Sequence, residues 1–106
     1  MNDKPRRTFV TGISGESYRQ AEIRHAKAGE ELLLIREPNN PHDRNAIKVC
    51  RRNGQQIGYI MAGMAPRLAD QINSGTRMGA VLEEIRGGTR DRPSLGVAIR
   101  VRIWGK

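Results

Sequence analysis

Residues 96–104 alternate without interruption: Val97, Ile99, Val101 and Ile103 fall on one side, and Ala98, Arg100, Arg102 and Trp104 on the other. Successive side chains of an extended chain point to opposite faces, so this is a half-buried strand. Its outer face is basic and ends in an aromatic ring. Such a strand needs a sheet to cover its apolar side, and the rest of the chain supplies one. Thr8 to Ser14 is rich in β-branched residues, and Leu32 to Ile35 is a continuous apolar run. Asn45 to Arg51, Gln55 to Met61 and Met78 to Arg86 read as further strands. Asn53-Gly54 signals a two-residue hairpin, a turn in which both central residues take positive φ.

Two helices interrupt the strands. Ser17 and Gln20 have capping-box spacing and Gly29 is a suitable stop, which predicts a helix from Ser17 to Ala28. Ala65, Leu68, Ala69 and Ile72 repeat at helical spacing, with Pro66 in the first turn and Gly75 at the C′ position. The expected fold is mainly β with two short helices. Six short strands with hairpin connections predict a small six-stranded antiparallel barrel, because closure removes exposed edges. Residues 1–7 are expected to be a disordered basic arm, and residues 8–106 a single domain.

The chain has 106 residues, a formal net charge of +8 and a sequence pI near 10.8. A balance of this kind favours an anionic partner. Basic residues crowd the start of the chain and its last fifth, and arginine, suited to bidentate phosphate contact, predominates. The lone Cys50 cannot form an internal disulfide, which fits a cytoplasmic setting. Cys50, His25 and His42 have no zinc-ligand spacing, so neither metal nor cofactor is expected. No secretory signal and no membrane-spanning length is present.

Enzyme motifs do not survive inspection. Gly12-Ile13-Ser14-Gly15 has the wrong offset for a nucleophile elbow. Gly87-Gly88 lacks the Lys-Ser/Thr of a phosphate loop. His42 and Asp43 are adjacent, which is poor geometry for one to orient the other. The segment Arg36 to Val49 is more informative. Pro38 and Pro41 fix φ, and Asn39, Asn40, Asp43 and Asn45 can bond the backbone. Part of this loop is turn chemistry. His42, following a proline at the tip, is a ring on which a nucleobase could stack. Period-two counting puts Tyr59 on the buried face of Ile57, and Phe9 in the core.

Taken together, Thr-Gly-Ile at 11–13, the segment at 36–49, Ile-Gly-Tyr-Ile at 57–60, Leu68-Ala69 and Ile-Trp-Gly-Lys at 103–106 resemble the HIRAN domain. The resemblance implies a small barrel related to the OB-fold, found in fork-remodelling, helicase-like translocases and in short bacterial proteins. It further implies a non-enzymatic module that binds single-stranded DNA and reads its 3′-hydroxyl end. Asn40, His42 and Asp43 would be loop contacts, and Tyr59 a stacking ring rather than core. The translocase members carry Arg-Tyr-Tyr directly after the first strand. Ser14, Gly15 and Glu16 stand there instead, and Tyr18 with Arg19 are expected to replace that platform. Phosphates would meet Arg19, Arg36, Arg44, Arg100 or Arg102. Fork remodelling in DNA repair would need a DNA-processing ATPase as a separate protein partner. The alternative is a protein-interaction or regulatory barrel that binds no nucleic acid.

Overall fold

The computed structural model describes residues 4–105. Six strands form one antiparallel sheet: β1 Arg7–Gly12, β2 Glu31–Arg36, β3 Ile47–Arg51, β4 Gln56–Tyr59, β5 Arg77–Gly87 and β6 Leu95–Gly105. The strand order is β1-β6-β5-β2-β3-β4, and the sheet curls so that its two edges approach one another. Beyond β1 the chain continues to Ser14, which exchanges two backbone hydrogen bonds of 2.9 Å with Tyr59 of β4. This single bridge makes a seam that closes the curl. The seam depends on Gly58: a Cβ there would lie 2.6 Å from the Ser14 carbonyl oxygen and 2.8 Å from Ile13 Cδ1.

The alternation read in residues 96–104 is observed. Val97, Ile99, Val101 and Ile103 are buried and Arg100, Arg102 and Trp104 are only partly covered, whereas Ala98, expected on the outer face, is buried as well. Their inner face meets Ile47, Val49, Ile57 and Leu82 in the core. Helix α2, Ala65–Asn73, adds Ala65, Leu68 and Ala69, and it ends at Ser74 before Gly75 at φ 90°.

Several boundaries differ from expectation. Met1–Asp3, the first part of the expected arm, lie outside the described residues. Arg6 N–H bonds the Ile103 carbonyl at 2.8 Å and β1 starts at Arg7, so the arm's last two residues belong to the sheet. The predicted helix over Ser17 to Ala28 is a single 3-10 turn, Glu16–Tyr18, followed by the short α1, Gln20–His25. No capping box forms. Gln20 instead donates to the Glu16 and Leu95 carbonyls at 3.0 and 2.9 Å and accepts the Leu95 N–H at 2.7 Å. With Ile23 its only buried residue, α1 has little apolar face to lengthen it.

The Asn53-Gly54 hairpin is present, but its turn has three residues. Gly54 N–H bonds the Arg51 carbonyl at 2.8 Å and Gly54 alone takes positive φ, at 90°. Asn53 keeps negative φ and uses its Oδ1 to accept the Gln55 N–H at 2.9 Å. A type I turn with a left-handed glycine gives this geometry.

Candidate nucleic-acid interface

The loop between β2 and β3 is held from within and from below. Asn40 Oδ1 accepts the backbone N–H groups of His42 and Asp43 at 2.8 and 3.0 Å, and its Nδ2 donates to Glu37 Oε1 at 2.9 Å. Asp43 Oδ1 accepts the Asn45 N–H at 2.8 Å, and the Asp43 carbonyl accepts the Ala46 N–H at 3.0 Å. These turns consume Asn45 and Ala46, so β3 begins at Ile47 rather than Asn45. Beneath the loop, the Arg36 guanidinium donates to the Ala46 and Arg44 carbonyls at 2.7 and 2.9 Å and to Asn73 Oδ1 at 3.2 Å. Arg36 therefore braces the loop, and its donors are not turned to a phosphate.

Tyr59 faces this loop because β4 is bulged. Val49 pairs with Gly58 and Cys50 with Gln56, so Ile57 is the extra residue and the alternation breaks there. Ile57 points into the core, while Tyr59 lies opposite Lys48 and shares its face. Period-two counting misplaces Tyr59 for this reason. The Tyr59 hydroxyl donates to Glu37 Oε1 at 2.8 Å, and Lys48 Nζ lies 3.7 Å from Glu37 Oε2. Hydrogen bonds from Asn40 and Tyr59, with the Lys48 charge, hold the Glu37 carboxyl below its ordinary pKa, against partial desolvation. Glu37 is thus the hub that joins loop and strand.

Two adjoining cavities open between these parts, and both are lined by Asn40, His42 and Tyr59. The larger, about 570 Å³, adds Glu37, Pro38 and Pro41. The smaller, about 230 Å³, adds Ser14, Asp43 and Ile60. Their chemistry is that of rings and oxygens. The His42 side chain is exposed and, among the described residues, makes no hydrogen bond; Asp43 Oδ2 likewise has no partner. Neither cavity has a lysine or arginine among its described lining residues.

The remaining expected residues lie apart from these cavities. Tyr18 is 86% exposed in the 3-10 turn, and Arg19 donates to Gln56 Oε1 at 3.1 Å, beside β4. Gly15 links this stretch to the site, since a Cβ there would lie 3.7 Å from the Tyr59 ring. Arg100 and Arg102 are not brought to the cavities. Arg100 forms a two-point pair with Glu83, at 2.9 and 3.3 Å, and Arg102 reaches Glu31 at 3.4 Å. The pairing holds the Glu83 carboxyl low and the Arg100 guanidinium high. Sequence reasoning missed Glu37; the available signal was its place two and four residues after Ile35 and Leu33, on one face of an extended strand.

Comparison with known proteins places the fold in a family. The HIRAN domain family model matches residues 7–104, and the chain belongs to that family. It is 55% identical over 77 residues to the rabbit (Oryctolagus cuniculus) helicase-like transcription factor, a match covering 73% of this chain and 7% of that protein. A putative SWI/SNF-related matrix-associated actin-dependent regulator of chromatin subfamily A member 3-like 1 from Arabidopsis thaliana is 37% identical over 99 residues, 92% of this chain and 10% of that protein. The chain therefore spans only a small part of these relatives. Among solved structures, the crystal structure of the HIRAN domain of human HLTF superposes with a TM-score of 0.73 at 26% identity, covering 93% of this chain and 76% of that one. The HLTF HIRAN domain in its DNA-bound conformation, solved by NMR, shares the fold with a TM-score of 0.66 at 24% identity, covering 97% of this chain and 79% of that one.

Proposed function

We propose that this chain is a DNA-binding module whose site beside Tyr59 accepts the free 3′-hydroxyl end of a single strand. The observation that carries the reading is the character of the lining: two rings, an unpartnered carboxylate oxygen at Asp43, and no cation among the described lining residues. A phosphate would meet only negative charge there. A sugar hydroxyl can donate to Asp43 Oδ2, while the terminal base stacks on His42 and Tyr59, at about 1–3 kcal/mol per base. Phosphates further along the strand would meet Arg44, next to Asp43 in the loop, and Arg19 beside β4. Asn40 acts by shaping the loop. Arg100 and Arg102, already paired with acids, fall outside this assignment. The DNA-bound conformation solved for the HLTF domain supports DNA as the ligand class.

The module is read as non-catalytic and cytoplasmic, serving a DNA-processing ATPase in repair at replication forks. Incubating labelled DNA with magnesium or manganese tests the first point; cleavage abolished by Asp43→Ala would contradict it. One observation favours the second reading, a protein-interaction barrel: Ser14-Gly15-Glu16 occupies the place where the resemblance expects an Arg-Tyr-Tyr platform. An oligonucleotide titration at low and moderate salt separates the two. Affinity that falls with salt supports nucleic-acid binding, and no binding at either salt concentration supports the protein-interaction reading.

A further inference from the structure

The site described above leaves the arginines of the β5–β6 hairpin without a role. Arg86 and Arg92 line a cavity of about 450 Å³ at the base of this hairpin, opposite Glu16, Ser17 and Gln20. Arg24 of α1 meets the same hairpin in an adjoining cavity, beside Gly88 and Pro93. Arg90 stands at the tip, between Gly87 and Ser94. The nearby acids Glu16, Glu84 and Asp91 offset this charge only in part, against Arg24, Arg86, Arg90 and Arg92. Glu84 pairs with Arg86 at 3.2 Å, Glu16 Oε2 accepts the Val97 N–H at 3.4 Å, and Asp91 is the one acid in the tip itself. Among the described residues, Arg24, Arg90 and Arg92 have no acidic partner.

The hairpin end is shaped rather than loose. Gly87 takes φ 83°, and a Cβ there would lie 2.1 Å from the Ser94 carbonyl oxygen. Thr89 N–H bonds the Arg92 carbonyl at 2.9 Å, and Thr89 Oγ1 accepts the Arg92 N–H at 3.1 Å. The end also lies next to the proposed site along the chain. Ser14 lines the smaller site cavity, and Ser17 lines the hairpin cavity. Exposed Tyr18 follows directly, and Gln20 fastens this stretch to Leu95 at the start of β6.

We propose that the β5–β6 hairpin end, together with Arg24, is a second contact surface, which binds the phosphodiester backbone of the strand leaving the Tyr59 site. The proposal rests on the nucleic-acid-binding reading but not on end recognition. Tyr18, exposed next to Ser17 of the hairpin cavity, offers the strand a ring to pass over. A short oligonucleotide fills the Tyr59 site alone, and a longer one reaches the hairpin.

The test is the triple variant Arg24→Gln/Arg90→Gln/Arg92→Gln, with thermal unfolding and the NMR spectrum confirming the fold. A DNA twelve-mer is titrated across a range of salt concentrations, alongside a trimer. The variant's log K for the twelve-mer should fall less steeply with log salt, the slope shrinking by about 2, because each phosphate contact on a single strand contributes about 0.7. Its low-salt affinity for the twelve-mer should drop about tenfold or more. The charge-keeping variant Arg24→Lys/Arg90→Lys/Arg92→Lys should retain most of the wild-type slope and affinity, and trimer binding should be unchanged in both variants. An unchanged twelve-mer slope, or an equal loss for trimer and twelve-mer, overturns the proposal. If hydroxyl and phosphate 3′ ends bind equally while the twelve-mer slope still drops, the end-recognition reading fails and the hairpin contact stands.

Discussion

The Tyr59 hydroxyl donates to Glu37 while the Tyr59 ring lines both cavities, so substitution can separate the two halves of this side chain. Tyr59→Phe keeps the ring and should lower stability by about 1 kcal/mol, the usual net value of one hydrogen bond. Its oligonucleotide affinity should stay close to wild type. Tyr59→Ala should lose about 1–3 kcal/mol of binding, measured by titration. Glu37 predicts a pH effect. Its folded pKa lies below the ordinary Glu value of 4.5, so the stabilisation it supplies is complete above that value and is lost as pH falls through the depressed folded one. Acid unfolding followed by circular dichroism should show Glu37→Gln with less stability at neutral pH and a flatter decline below pH 4.5. Asn40, His42 and Asp43 are legible in the sequence because one short segment concentrates turn-forming and hydrogen-bonding side chains. The role of Glu37 is not, because it depends on a hydroxyl that only the bulged register of β4 brings within reach.

Gly58 governs the seam at the scale of elements. Gly58→Ala pushes a methyl into the Ser14 carbonyl and Ile13, and overpacking of this kind costs about 1–3 kcal/mol. The amides of Ser14 and Tyr59, which hold the bridge, should exchange with solvent faster than those of β5 and β6 in that variant. Unchanged protection at these two amides would show that the seam tolerates the methyl. Elements whose identity is set by local pattern are readable in advance: the alternation of β6 and the helical spacing of Ala65, Leu68 and Ala69 both appear as expected. The segment from Glu16 to His25 is not, because Gln20 takes its hydrogen bonds from Leu95, 75 residues away, and no local rule anticipates that anchor. The bulge at Ile57 is hidden for a related reason. It is a property of the pairing with β3, while the sequence of β4 on its own looks regular.

Across the whole molecule, the +8 charge is less available than its size suggests. Arg100 and Arg102, prominent on the outer face of β6, are paired with Glu83 and Glu31, and Arg36 is committed to loop carbonyls. Replacing Arg100 by Gln should therefore leave DNA affinity and its salt slope nearly unchanged, whereas Arg44→Gln should reduce the slope by about 0.7. Counting charges shows the net excess of arginine but not which arginines face an acid across the sheet. The central claim concerns the carboxylate in the site and is tested most directly by end chemistry. Asp43→Asn keeps an oxygen for the Asn45 N–H, so the loop should keep its shape while losing the charge. A 3′-phosphate brought near Asp43 meets repulsion of about 1 kcal/mol per unit charge at 4 Å even in bulk water, a difference of about fivefold. The decisive measurement is the ratio of affinities for one oligonucleotide ending in a 3′-hydroxyl or a 3′-phosphate. The account predicts a clear hydroxyl preference in the wild type that shrinks toward unity in Asp43→Asn; equal affinity for the two ends in the wild type would contradict it.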